Sequence, residues 1–381
     1  MKDISESRVL IVDDVKANVD VLVQTLREQY RLSVALDGAA ALRSIEKRPP
    51  DLVLLDILMP PGIDGYEVCR RIRANEATKE IPVMFLSSLE DVKDKARGFE
   101  VGGNDYLTKP FEALEVKARV HSLLKAKAYT DAIREAMARE LRIAREIQMG
   151  ILPADLAAAT KGTPLEVAAV IEPARHVGGD LYEVLRASDS RVVVALGDVS
   201  GKGIPAAMFM AVAVTVLRTL ARTIAEPDEI LTRLNDELAE QNPRGMFVTI
   251  QCLVFDLAKG EVAVAGAGHH QLARISPGTP PRLAFPSSGR PAGLMAGNPI
   301  ERESIPLSPG DTFVLFSDGV SEAMNAQDEF FGEDRLMARA ASVPEGAAPA
   351  DIVGGILEAV RGFAAGAPQS DDITILAARY R

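Results

Sequence analysis

Through residues 9–107 the chain alternates short apolar runs with segments of helical spacing. The runs are Val9–Val12, Leu32–Leu36, Leu52–Leu55, Val83–Leu86 and a weaker one at Tyr106–Leu107. Between them apolar residues recur three and four apart, as at Val19, Leu22, Val23 and Leu26. This alternation predicts five β–α units forming a doubly wound parallel sheet with helices on both faces.

Residues 111–151 predict one long helix, with no Gly or Pro before Gly150. Ile133, Met137, Leu141, Ala144, Gln148 and Ile151 share one face of it, at spacings of 4, 4, 3, 4 and 3. The stripe reads as a solvated connector or as a dimerising or packing face. The second reading is preferred, because an apolar stripe needs a partner.

From Leu165 the pattern changes. Strand-like runs stand at Leu165–Ile171, Val192–Leu196, Phe247–Phe255, Val262–Ala265, Thr312–Phe316 and Ile373–Ala377. Helical runs stand at Ala206–Arg222, Pro227–Gln241 and Asp351–Phe363. The segment from Asp256 to Gly260 predicts a hairpin turn, so these strands are expected to form antiparallel sheets flanked by helices. Pro- and Gly-rich stretches at 276–299 and 343–350 read as surface loops.

Length fits two or three domains, since 381 residues exceed the roughly 100–200 typical of one. The expected division is 1–125, a helical linker at 126–153, and 154–381. The net charge of −11 argues against a nucleic-acid binder. Residues 160–381 hold most of the excess, with 19 basic and 28 acidic side chains against 24 and 26 in residues 1–159. Metal or phosphate chemistry explains such an excess, and so does an acidic solvated surface. Two distant cysteines, Cys69 and Cys252, build neither a disulfide framework nor a cysteine zinc site. The N-terminus lacks a signal-peptide pattern, and the longest apolar run, Ile204 to Leu217, is short for a membrane span. The expectation is a soluble cytoplasmic protein with no membrane or nucleic-acid partner.

In the first part, Asp13 and Asp14 close the first strand, Asp56 the third and Ser87 the fourth, while Lys109 follows the fifth. Residues past the strand ends of such a sheet converge on one crevice. Three carboxylates there repel one another unless a hard divalent cation joins them. Such a cation also orients a phosphodonor and neutralises charge as phosphoryl moves to a carboxylate.

Asp13-Asp14, Leu54-Leu55-Asp56-Ile57-Leu58-Met59-Pro60, Ser87-Ser88 and Asp105-Tyr106-Leu107-Thr108-Lys109-Pro110-Phe111 resemble a two-component response-regulator receiver domain. The resemblance spans about residues 7–125. It implies that Asp56 accepts phosphoryl from a sensor histidine kinase and that Lys109 pairs with the product. It also implies Mg²⁺ held by Asp14, Asp56 and the Leu58 carbonyl with help from Asp13, and Ser87 and Tyr106 as switch residues. The loop from Met59 to Gly65 is one residue longer than the usual family form.

In the second part, Asp180, Asp198, Asp318 and Asp371 each stand at the edge of an apolar run beside a Gly or Ser turn. Such aspartates can converge on two cations that activate a water and hold phosphoryl oxygens. No phosphate-binding P-loop spacing and no G-x-S-x-G nucleophile elbow is present. The runs Arg145–Pro153, Pro173–Asp180, Gly197–Gly203, Ala267–His269, Phe316–Glu322 and Ser370–Thr374 resemble PPM-type serine/threonine phosphatases of the bacterial RsbU/SpoIIE-like branch.

This resemblance implies an αββα sandwich and two Mn²⁺ or Mg²⁺ ions. It implies that Asp198 bridges them, that the Val199 carbonyl ligates one, that Asp318 and Asp371 complete one and that Asp180 serves the other. Asp372 is read as structural. Ser200 stands where many relatives outside the branch have a His, and Gly268-His269-His270-Gln271 stands where Gly-His-Asn-Pro is common. Arg175 and His176 are read as phosphate contacts or loop packing.

The whole chain is therefore expected to combine α/β and α+β parts: a (βα)5 receiver, a helical linker and an αββα phosphatase. The expected substrate is a phosphorylated STAS-type anti-sigma-factor antagonist in a partner-switching stress pathway, and the expected assembly a homodimer through the linker helix, the receiver or both. The competing reading is a receiver-controlled pseudophosphatase that binds a partner without turnover. A DNA-binding output is disfavoured by the acidic second half.

Overall fold

The computed structural model describes residues 3–88, 92–240, 242–286 and 289–381. Gln241, the end of one expected helical run, and residues 287 and 288 of one expected loop lie outside the described residues. The chain divides into two compact units, Met1–Arg139 and Glu140–Arg381.

The first unit runs β1 (Arg8–Val12), α1 (Lys16–Leu26), β2 (Arg31–Ala35), α2 (Gly38–Lys47), β3 (Leu52–Asp56), α3 (Gly65–Ala74), β4 (Val83–Ser87), α4 (Val92–Glu100) and β5 (Asp105–Thr108). Helix α5 (Ala113–Ile151) follows, and the division between units falls within it. The strands form a parallel sheet in the order β2-β1-β3-β4-β5. Strand residues alternate between its faces, as a two-residue repeat requires. Val9, Ile11, Leu52 and Leu54 pack with Leu22 and Leu26 of α1 and Val116 and Val120 of α5. Leu10, Val12, Val53 and Leu55 pack with Ile45 of α2 and Cys69 and Ile72 of α3. With both faces covered, β3 and β4 are buried along their whole length.

The second unit continues with α6 (Leu156–Thr160), β6 (Leu165–Glu172), β7 (Leu181–Arg186), β8 (Arg191–Val199), α7 (Ile204–Ala221), α8 (Pro227–Glu240), β9 (Val248–Asp256), β10 (Glu261–Ala267), β11 (Leu272–Ile275), β12 (Arg282–Ala284), β13 (Arg302–Pro306), β14 (Thr312–Phe316), α9 (Asp318–Ser321), α10 (Gly332–Ala341), α11 (Pro349–Ala364) and β15 (Ile373–Tyr380). Two antiparallel sheets result, ordered β13-β10-β9-β8-β7 and β12-β11-β14-β15-β6. They share a core in which Phe255 of β9 meets Phe313 of β14 edge-on at 5.7 Å. Helices α7 and α8 cover the first sheet; α9, α10 and α11 cover the second. This is the expected αββα sandwich.

Strands β7, β11, β12 and β13 were not among the expected runs. In β7, Glu183 interrupts the apolar sequence yet is 2% exposed, because the Arg218 guanidinium of α7 reaches it at 2.7 Å. Strand β13 is a mostly exposed edge strand, held by its ladder to β10. Helix α7 is longer than the apolar run that marked it: 18 residues with mean hydropathy 1.8, enough by length and composition to cross a membrane. In the fold its Ala206, Met210, Ala213, Val214 and Leu217 are buried in the sandwich core. Both cysteines are buried and free.

Candidate functional site

In the first unit the parallel register brings the ends of β1, β3 and β5 together. Candidate ligand atoms of Asp13, Asp14 and Asp56 all lie within 4.8 Å of one another. Asp13 is fully buried, Asp56 nearly so, and Asp14 is exposed. The Lys109 ammonium stands 2.7 Å from Asp13 Oδ2 and 2.8 Å from Asp56 Oδ2. Burial raises the Asp56 pKa, opposed by Lys109 and reinforced by the Asp13 charge. Burial acts to lower the Lys109 pKa, but the two carboxylates outweigh it and the net shift is upward. The Asp13 carboxylate also accepts from the Val15 N–H and the Asn18 amide, and Asp56 Oδ1 accepts from the Ile57 N–H. Three hard oxygen donors in this space fit a divalent cation.

Leu58 follows β3 with its side chain exposed. Ser87 ends β4, and its carbonyl accepts the Lys109 N–H at 2.8 Å. Tyr106 on β5 is buried, its ring 6.4 Å from that of Phe85. The extended loop contains a cis peptide between Pro60 and Pro61.

In the second unit both sheets deliver aspartates to one end of the sandwich. Asp198 lies on β8 opposite Thr249 of β9, and Leu181, next to Asp180, pairs with Gly197. Asp318 opens α9 directly beyond β14, while Asp371 and Asp372 precede β15, which pairs with β14. Asp198, Val199, Asp318 and Asp371 line a cavity of about 280 Å³. Asp180 is buried behind it, its Oδ2 accepting from Thr374 Oγ1 at 2.5 Å.

The carboxylates disfavour one another's charge. Burial, then the Asp198 charge, drives the Asp180 pKa well above the usual carboxylate range. Burial and next the Asp318 charge push Asp198 up to about 7. Asp318 is raised by burial and then by Asp371. Asp318 Oδ1 is buried without a hydrogen-bond partner among the described residues. A buried orphan acceptor amid like charges fits a cation position.

Asp372 has a different task. Its carboxylate accepts the Ala174 N–H at 2.8 Å and the Gly179 N–H at 2.7 Å, pinning the loop that leads into Asp180. A Cβ on Gly178 would stand 2.1 Å from Asp372 Oδ2, and one on Gly319 would stand 2.0 Å from the Asp372 carbonyl. Only glycine permits both approaches. Arg175 and His176 are exposed on this loop and do not line the cavity.

Sequence reasoning missed three participants. Lys202 stands 2.8 Å from Asp371 Oδ2 and donates to the Ser370 carbonyl. His269 bridges the sheets: its Nε2 lies 3.0 Å from the Phe316 carbonyl and its Nδ1 2.9 Å from Thr249 Oγ1. A carbonyl only accepts, so Nε2 carries the proton and Nδ1 accepts from Thr249. Burial, then the neighbouring His270, lowers the His269 pKa to about 3, which keeps it neutral. Gln148, in the last turns of α5, was a member of the apolar stripe. Its amide donates to the Gly178 carbonyl at 2.6 Å and accepts the Gly178 N–H at 3.2 Å. Nothing in its spacing signals that backbone clamp.

Residues 9–121 match the family model of the response regulator receiver domain, and residues 188–381 match that of Stage II sporulation protein E. Over 138 residues the chain is 40% identical to Response regulator PleD of Caulobacter vibrioides, covering 36% of this chain and 30% of that protein. The chain thus spans under a third of the length of this curated relative. The SiaA-PP2C domain of Pseudomonas aeruginosa shares the fold at TM-score 0.59 and 24% identity, covering 66% of this chain and 99% of that one. The PP2C phosphatase domain of the cell fate determinant SpoIIE from Bacillus subtilis, solved with a regulatory fragment, does so at 0.50 and 18%, covering 56% and 63%. These likenesses show a PP2C-like sandwich. The chain therefore belongs to the Stage II sporulation protein E family of PPM-type phosphatase domains, here preceded by a response-regulator receiver domain.

Proposed function

We propose that this protein is a response regulator whose output is a metal-dependent serine/threonine protein phosphatase. The observation that carries the reading is the convergence of Asp198, Asp318 and Asp371 on one cavity, backed by buried Asp180, with Asp318 Oδ1 left unpaired. Two Mn²⁺ or Mg²⁺ ions suit these oxygen donors: Asp198 would bridge them, with the Val199 carbonyl, Asp318, Asp371 and Asp180 completing the set. Bound there, they would neutralise phosphoryl charge and activate a water. The chain itself holds Asp180 through Thr374 and the loop before it through Asp372, while His269 ties β9 to β14 and Phe247 and Thr249 wall the site.

In the receiver, Asp56 takes phosphoryl from a sensor histidine kinase, with Mg²⁺ at Asp13, Asp14, Asp56 and the Leu58 carbonyl. Lys109 neutralises the product, and Ser87 and Tyr106 respond to it. The domain reading is a receiver at 1–125, a linker at 126–153 and a phosphatase at 154–381. The linker carries control because its last turns grip Gly178, two residues before Asp180. Ile133 and Met137, each 60% exposed, supply the face for a homodimer.

The substrate class follows from the family alone: a phosphorylated STAS-type antagonist of an anti-sigma factor. Incubating the chain and Mn²⁺ with such phosphoproteins tests the reading. Manganese-dependent phosphate release is expected. A tight complex without turnover would instead identify a receiver-controlled adaptor.

Metal binding has a predicted pH dependence. In the metal-free fold, Asp198 holds a proton up to about pH 7 that the unfolded chain releases near 3.8. Its contribution to stability is thus full below pH 3.8 and is lost as pH rises through 7. A cation must displace that proton. The half-saturating Mn²⁺ concentration, read by thermal shift, should rise at least about tenfold per pH unit below 7, because Asp198 gives up a proton there and Asp180, whose pKa is also driven up, must give up another. An unchanged midpoint between pH 5.5 and 7 would contradict this assignment.

A further inference from the structure

A phosphoserine or phosphothreonine ester leaves as an alkoxide, a strong base that needs a proton as its bond to phosphorus breaks. The cavity offers few donors for it. Ser200 Oγ accepts the Phe247 N–H at 3.0 Å, and its own hydroxyl is no stronger an acid than the seryl or threonyl alcohol that must leave. Thr249 Oγ1 is committed to His269, and Lys202 to Asp371 and the Ser370 carbonyl.

His270 lines the same cavity as Asp198, Asp318 and Asp371. Its ring stacks on Phe316 at 6.2 Å and 12° between planes, and stands edge-on to His269 at 5.7 Å. His269 is itself fixed by bonds to both sheets, so the His270 ring has a rigid mounting. No hydrogen bond engages the His270 ring nitrogens among the described residues. Packing on Phe316 and His269 therefore holds the His270 imidazole at the cavity wall, where its charged form also faces Asp318.

We propose that His270 is a catalytic residue that gives its ring N–H proton to the leaving seryl or threonyl oxygen. The inference rests on the phosphatase reading above and deepens it. Water oxygen forms the new bond to phosphorus, the P–Oγ bond breaks, and its electron pair stays on Oγ. Oγ takes the proton from His270. The attacking water's surplus proton passes to solvent, from which the ring recovers the one it gave. The sum is ester plus water to alcohol plus inorganic phosphate.

The test compares two substrates on the full chain at saturating Mn²⁺. A phosphoserine peptide needs leaving-group protonation; p-nitrophenyl phosphate does not, because its phenolate is a weak base. In His270→Ala the ratio of the peptide kcat to the p-nitrophenyl phosphate kcat should fall about 10²-fold, the lower end of general acid contributions. The Mn²⁺-induced thermal shift should match that of the parent protein. An equal loss on both substrates, or no loss on the peptide, would overturn the role of His270 alone. Parent protein that turns over neither substrate would overturn the phosphatase reading as well.

Discussion

Asp198→Asn is expected to reduce phosphatase turnover by about 10³-fold or more, on the scale of removing a key electrostatic group from an active site. The same substitution should leave the metal-free fold as stable as before or more so. Both effects have one cause. Asp198 is largely buried, and its charge is opposed first by that of Asp318 and then by that of Asp371. Asparagine keeps the shape and removes the repulsion, so folding loses nothing. It also removes the carboxylate proposed to join two cations, so the Mn²⁺-induced rise in Tm should shrink. Steady-state rates and melting curves with and without Mn²⁺ measure both. Full activity in Asp198→Asn would end the assignment of the bridging role.

Asp56→Asn should lose all covalent phosphoryl uptake from a small acyl-phosphate donor, since an amide cannot form the mixed anhydride. The receiver should stay folded, because Asp56 Oδ1 accepts only the local Ile57 N–H and Lys109 retains Asp13 as its partner. Phosphoprotein labelling checks the first outcome and circular dichroism the second. Labelling that persists in Asp56→Asn would move the acceptor to another residue. Phosphorylation replaces the single Asp56 carboxylate charge with a phosphoryl group of about two negative charges beside Lys109. The mechanism of control then requires the phosphatase rate of Asp56→Asn to ignore the donor.

The first unit was legible almost to the residue. Its central strands β1, β3 and β4 are buried on both faces, so a continuous apolar run marks each of them. The sandwich was legible only where strands are apolar. Strand β7 escaped because Glu183 is neutralised by Arg218, a partner that no local pattern reveals. Strand β13 escaped because an exposed edge carries no apolar alternation.

The site divides in the same way. Asp180, Asp198, Asp318 and Asp371 stood out because strand ends and Gly or Ser turns mark such positions. Asp372 looked no different from Asp371 in sequence beyond its family position. Its contacts to the Ala174 and Gly179 N–H groups separate the two. The clamp from Gln148 to Gly178 and the stacking of His270 on Phe316 join residues distant in sequence, and only folding makes them visible.

If the receiver governs the phosphatase, occupancy of Asp56 sets the rate. The direct measurement is the single-turnover rate of phosphate release from a phosphorylated antagonist, with and without beryllofluoride as an acyl-phosphate mimic. Beryllofluoride should change the rate of the parent protein and leave that of Asp56→Asn unaltered. Equal rates in the parent protein, with Asp56 shown to be occupied, would contradict it.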